Sequence, residues 1–159
     1  MEIRNMNTDD IKQVQHVAKT SWNSTYERII PREIRERFLN SAYNDDRMKQ
    51  RMERSLMLVA DEDDRVTGFA NFSPVRDGGK VELYAIYLLP EIQGKGIGTA
   101  LLNEGILRLD GVKEIYISVE RDNAIGKAFY EAKGFKAVQE LEEDFEGHIL
   151  KTIRMVLEV

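Results

Sequence analysis

Apolar residues recur along this chain with two periods, and the switches between them outline its elements. Residues 2–6 predict a short strand. After the capping side chains of Thr8-Asp9-Asp10, the residues Ile11, Val14, Val17, Ala18 and Trp22 follow the spacing of one helix face. Pro31 suits a first helical turn and opens a second helix carrying Ile34, Phe38 and Leu39. A third helix is expected from about Asp45 to Arg54, with Met48 and Met52 inward. The pattern then changes. Leu56–Asp61 and Val66–Ser73 read as strands around the polar turn Glu62-Asp63-Asp64, and Gly78-Gly79 marks the next turn. Val81–Leu89 is a long strand stopped by Pro90, and Ile97–Leu109 returns to helical spacing. Val112–Glu120 alternates, with Ile115, Ile117 and Val119 on one face and Tyr116, Ser118 and Glu120 on the other. Asn123 predicts the N-cap of a helix ending at Lys133-Gly134. Phe135–Leu141 and Ile149–Val159 predict the last two strands. The order β-ααα-βββ-α-β-α-ββ implies a mixed α/β sheet. No repeat or linker interrupts residues 1–159, so a single domain is expected.

Composition narrows the classes. With 42% hydrophobic and 32% charged residues, the chain reads as soluble and globular. It has no cysteine, which excludes disulfides, thiolate metal ligands and a cysteine nucleophile, and fits a cytoplasmic location. No metal site is expected. The segment MEIRNMNTDDIKQV lacks the apolar core of a signal peptide, and no stretch approaches the ~18 apolar residues of a membrane span. A net charge of −5 makes nucleic acid a poor partner, since phosphate contacts dominate that affinity, and suits a cationic one better. Residues 28–54 hold eight basic against five acidic side chains, an excess normal for solvated helices.

Gly94-Lys95-Gly96-Ile97-Gly98 lies between a predicted strand end and a predicted helix start. The first N–H groups of a helix have no intrahelical partner and carry partial positive charge. Glycines there let a phosphate or pyrophosphate reach those amides. A Walker A loop is ruled out, because Leu89 stands where its first glycine belongs. A dinucleotide fingerprint fits in part: Gly94 and Gly96 match, but Thr99 replaces the third glycine. Glu120 stands roughly where a ribose-binding carboxylate would be.

A second pattern fits better. The run from Leu88 to Leu102, with Gln93, Gly96 and Gly98 at its centre, resembles the acyl-CoA motif Q/R-x-x-G-x-G/A of the GCN5-related N-acetyltransferases. The run from Asn123 to Phe135 resembles that family's N-x-x-A-x-x-F-Y-E-x-x-G-F element, with its small residue displaced: Gly126 stands in place and Ala128 follows. Together with the N-terminal helices the resemblance covers essentially the whole chain. It implies a single, mostly antiparallel seven-stranded sheet flanked by about five helices and splayed between its central strands. It implies acetyl-CoA as co-substrate, with amides from Gly94, Lys95, Gly96, Ile97, Gly98 and Thr99 donating to the pyrophosphate. Lys95 would add a point charge or remain a solvated loop lysine. Main-chain groups of Ile86, Tyr87 and Leu88 would pair with the pantetheine arm, and the Leu88 amide would face the thioester carbonyl.

The resemblance also implies a general acid, Tyr130. A phenol with pKa near 10 stays protonated at neutral pH and can donate to a departing thiolate. Its alternative is a core aromatic on an amphipathic helix. Asn123 caps its helix, bonds the pantetheine arm, or both. Lys133 approaches a phosphate or simply complements the helix end. For the base, Glu82 shares a strand face with Tyr84, Ile86 and Leu88 by alternation, and would relay the amine's proton through water. Its alternative is an exposed strand-start residue. His16 and His148 read as surface residues.

The segment from Ser21 to Pro31 resembles the S-W-x-x-T-Y-x-x-I-I-P signature of a branch that includes polyamine N-acetyltransferases of the PaiA type. That implies a small cationic amine such as spermidine or spermine as acceptor. Trp22 and Tyr26 would pack on its alkyl chain or make cation–π contacts, with Glu82 alongside. The run Glu140, Glu142, Glu143, Asp144, Glu146 would attract it if it flanks the cleft, or would be a solvated turn. A protein N-terminal or amino-acid amine, and a CoA-binding regulatory module, stay open as alternatives. So does a homodimer.

Overall fold

The first helical segment is set by Asn7. In the computed structural model, which describes residues 1–159, β1 (Glu2–Asn5) leads into a capping box. The Asn7 side chain accepts from the Asp9 N–H at 2.9 Å, and the Asp10 carboxylate accepts from the Asn7 N–H at 2.9 Å. Thr8–Asp10 is therefore one 3-10 turn, and α1 (Ile11–Tyr26) follows. Its expected apolar stripe, Ile11 to Trp22, is buried. Pro31 caps α2 (Arg32–Ala42), and Asn44 caps α3 (Asp45–Arg54) by accepting from Arg47 N–H at 2.9 Å. Met48 is fully buried and Met52 packs beside it.

The remaining strands are β2 (Leu56–Glu62), β3 (Arg65–Phe72), β4 (Lys80–Leu88), β5 (Glu114–Glu120), β6 (Lys136–Phe145) and β7 (His148–Glu158). They form one seven-stranded sheet in the order β1-β2-β3-β4-β5-β7-β6. Every pair is antiparallel except β4–β5. With α4 (Ile97–Arg108) and α5 (Ala124–Ala132), five α-helices flank it, as expected. Phe69 and Tyr87 face Tyr43 on the α1 side. On the opposite face α4 lies so close that a Cβ on Gly105 would be 2.2 Å from the Phe72 ring.

The sheet splays at its centre. β4 and β5 pair only at Lys80–Glu114, Val81–Ile115 and Glu82–Tyr116, and then part. A bulge drives the parting. Asn71 faces Ala85 and Phe72 faces Leu83, so Tyr84 is an extra residue on β4. An extra residue bends its strand and breaks the two-residue alternation. The parity that put Glu82 on one face with Ile86 and Leu88 therefore does not carry across Tyr84.

The last hairpin also differs from its expectation. β6 extends to Phe145, and the turn is Glu146-Gly147, both at positive φ. The acidic run lies mostly within the strand. Glu143 pairs with Leu150 and shares its face, while Glu140, Glu142 and Asp144 alternate to the other. Glu146 is held by Arg37 at 3.6 Å.

Candidate active site

The parting of β4 and β5 opens a cleft of about 440 Å³. It is walled by Leu83–Leu88 of β4, by Ser118 and Val119 at the end of β5, and by α5 residues including Phe129 and Tyr130. The turn before α4 contributes Gln93, Gly94, Gly96, Gly98 and Thr99, and α1 contributes Ser21, Trp22, Thr25 and Tyr26. Asn123 and Lys133 stand at the two ends of α5, also on the wall. Of the residues expected at a site, only Lys95, Ile97 and Glu82 do not line it. Lys95 is exposed in the turn, and the Ile97 side chain is buried in the core.

The glycines divide their work. Gly94 and Gly96 both have φ of +83°, a region costly for other residues, and a Cβ on either would touch nothing within 4 Å. Within the protein, backbone conformation and not crowding requires them. Gly98 is the reverse: its Cβ would lie 3.0 Å from the Phe129 ring, so glycine there lets α4 and α5 meet. The first bond of α4 runs from Ala100 N–H to Gly96 O at 3.0 Å. The amides of Ile97, Gly98 and Thr99 precede it, at the positive end of a twelve-residue helix. That turn can hold a phosphate by main chain alone.

Along β4, Leu89 N–H points to β3 and donates to Thr67 O at 2.9 Å. Strand alternation then turns the Leu88 N–H toward the gap. The β4 wall thus offers free main-chain donors and acceptors where β5 has moved away.

The Tyr130 hydroxyl has no hydrogen-bond partner in the protein, and its ring is held edge-on between Phe129 at 5.5 Å and Phe135 at 5.3 Å. Burial pushes its phenol well above the ordinary value, and the nearby Tyr87 and Tyr26 hydroxyls push the same way. It keeps its proton throughout the neutral range. Burial likewise raises Tyr26 and Tyr87. The Tyr87 hydroxyl accepts from Trp22 Nε1 at 3.0 Å, a contact strand reading did not foresee. Trp22 stacks on Phe38 at 4.3 Å and is only 6% exposed, so most of its surface serves packing.

Asn123 does cap α5: its Oδ1 accepts from Gly126 N–H at 2.9 Å. A Cβ on Gly126 would come within 2.6 Å of the Asn123 amide, which accounts for glycine at that position. Lys133 Nζ lies 5.7 Å from the Phe129 ring centroid. Glu82 is engaged elsewhere. Both its oxygens accept from Arg154, which also donates to Ser118 Oγ at 2.9 Å and lies over the Tyr116 ring at 5.5 Å. The basic residues of 28–54 are partly consumed as well. Arg35 is buried and donates to Ile30 O at 2.7 Å; Arg51 donates to Asn71 Oδ1 at 2.8 Å. His16 is exposed, and His148 Nε2 lies 3.0 Å from Ile29 O. No helix is long and apolar enough to cross a membrane.

Comparison with known proteins matches this architecture. A family model described as the acetyltransferase (GNAT) family covers residues 14–135. A spermidine N(1)-acetyltransferase of Thermoplasma acidophilum is 32% identical over 91% of this chain and 94% of its own length. YuaI of Bacillus subtilis, described as an uncharacterized N-acetyltransferase, is 35% identical over 95% of this chain and 89% of its own. The crystal structure of the PaiA N-acetyltransferase of Thermoplasma acidophilum, in complex with coenzyme A, superposes with a TM-score of 0.83 at 30% identity. That match covers 99% of this chain and 98% of the other.

Proposed function

The chain belongs to the acetyltransferase (GNAT) family, and we propose that, as a single domain, it moves the acetyl group of acetyl-CoA to a primary amine, most favourably a polyamine such as spermidine or spermine. The observation that carries this reading is the protonated hydroxyl of the half-buried Tyr130, in a cleft that begins at the glycine turn. The coenzyme A complex of the Thermoplasma PaiA enzyme supports the co-substrate. The spermidine enzyme of the same organism supports the acceptor.

In this reading the amides of Ile97, Gly98 and Thr99 hold the pyrophosphate, and the free main-chain groups of Ile86 and Leu88 hold the arm. The Leu88 N–H stabilises the oxyanion as the amine adds to the thioester carbonyl. The C–S bond then breaks as Tyr130 gives its proton to the sulfur, while the adduct nitrogen loses its proton to water, and a proton from water restores the phenol. Asn123 and Lys133 flank the arm, while Trp22 and Tyr26 form the apolar side of the acceptor site. Proton removal through Glu82 would require opening its pair with Arg154, so we assign that carboxylate to fixing Arg154. The cysteine-free composition supports a cytoplasmic location.

A second reading has one observation in its favour. Arg154 is 26% exposed on the acceptor side and suits an acceptor carrying its own carboxylate, such as an amino acid or a protein N-terminus. CoA release by the purified protein, measured across polyamines, amino acids and short peptides, decides between the two. Saturable release with spermidine or spermine is expected; release only with carboxylate-bearing amines would replace the polyamine reading.

A further inference from the structure

β5 ends in a carboxylate without a cation. Glu120 is 8% exposed. Its one side-chain hydrogen bond is local, from Asp122 N–H to Oε2 at 2.5 Å, and its other oxygen has no protein partner. No lysine, arginine or histidine pairs with it. Arg121, next in sequence, pairs with Asp122 at 3.4 Å. Arg154, on the same face, is committed to Glu82 and Ser118. An ionised carboxylate withdrawn from water is costly unless a positive charge comes to it.

Its position is specific. On β5 it shares a face with Tyr116 and Ser118, and across the ladder it faces Thr152 of β7. Two residues along that face of β7, Leu150 packs with Trp22 and Ile30. Glu120 therefore lies on the side covered by α1, and its charge is felt at the Tyr26 phenol. Ser118 on its own face of β5 and Asn123 after it line the cleft; Glu120 stands just behind that wall, beside the Tyr26 phenol. Of the two carboxylates on this side, Glu82 is neutralised within the protein and Glu120 is not.

We propose that Glu120 holds the cationic nitrogen of the acceptor amine. This rests on the amine-acetyltransferase reading and adds to it the group that selects a charged acceptor. The test uses Glu120→Gln, which keeps an oxygen to accept the Asp122 N–H and removes only the charge. Steady-state rates are measured for the intact protein and the variant with spermidine and with the best acceptor from a panel of amines. The variant is expected to raise KM for the amine about 30-fold or more, as loss of one partner of a buried charge pair does, with little change in KM for acetyl-CoA. Thermal stability without ligand should hold or rise, since the variant removes a buried charge that has no partner. An unchanged amine KM, or an equal rise in both KM values, overturns the role of Glu120 while leaving the acetyltransferase reading intact. If spermidine is not acetylated but another amine is, the polyamine reading fails and Glu120 stands or falls on that amine's KM. Acetylation of no amine overturns both.

Discussion

At the scale of single residues, Tyr130 carries the sharpest expectation. Its phenol is protonated and unbonded, so Tyr130→Phe removes a proton donor and little else. Turnover should fall about 100-fold or more, as loss of a general acid does, while acetyl-CoA affinity by calorimetry stays nearly constant. Equal losses in both would make the tyrosine a packing residue. This residue was legible because it sits in a two-residue F-Y context inside a longer motif. The partner of Glu82 was not. Arg154 is 72 positions away, and only the pairing of β5 with β7 brings it across Ser118. Glu120 was visible in sequence only as a ribose-binding carboxylate in a partly matching dinucleotide fingerprint. That a carboxylate is buried, and that nearby cations are taken by others, are facts of three-dimensional neighbourhood.

Elements were more legible than sites. The stripe on α1, the glycine turn and the Asn123 cap follow from spacing, which local physics enforces. Two features did not. The Tyr84 bulge has no local signature, and it re-aims everything beyond it on β4. The acidic segment of β6 looked like a turn, but an edge strand open to solvent tolerates charge, and its ladder to β7 supplies the order. Gly105 gives a prediction at this scale. In an ordinary helix interior, glycine to alanine gains up to about 1 kcal/mol. In α4 the new methyl would meet the fully buried Phe72 ring. Gly105→Ala should therefore destabilise by about 1–3 kcal/mol, the usual cost of overpacking. Chemical denaturation reads this directly; a rise in stability would show that α4 can move away from the sheet.

Across the whole molecule, one ion-pair network ties the edge strand to the first helix and the sheet. Arg4 donates to Asp10 at 2.8 Å and to Asp61 at 3.0 Å. The Arg4 hydrogen bond, with that of the Asn7 amide, holds Asp10 below its ordinary carboxylate range against the opposing effect of burial. A carboxylate depressed in the folded state stabilises above its unfolded value, near pH 4, and that contribution is lost as pH falls through the folded value. Asp10→Asn should lower Tm at neutral pH, by the equivalent of about 1–3 kcal/mol for a charged hydrogen bond. The gap to the unsubstituted protein should close below about pH 4. A gap that persists undiminished in acid would assign the loss to the capping geometry and not to the charge.

The short seam between β4 and β5 has a consequence for what the molecule refuses. Beyond three residue pairs, each strand presents an unpaired edge, and open edges ordinarily recruit further polypeptide. These edges lie at the bottom of a cleft flanked by Trp22 and Tyr26 from α1 and by Phe129 and Tyr130 from α5. A peptide strand brings side chains to both faces, where these rings already stand. A slender, unbranched arm bearing amides is thin enough, and finds the same hydrogen-bonding groups. Thickness would thus serve as a filter: in the proposed reaction the aromatic walls disfavour a further strand at this interior edge and leave it open to a thin acyl carrier arm.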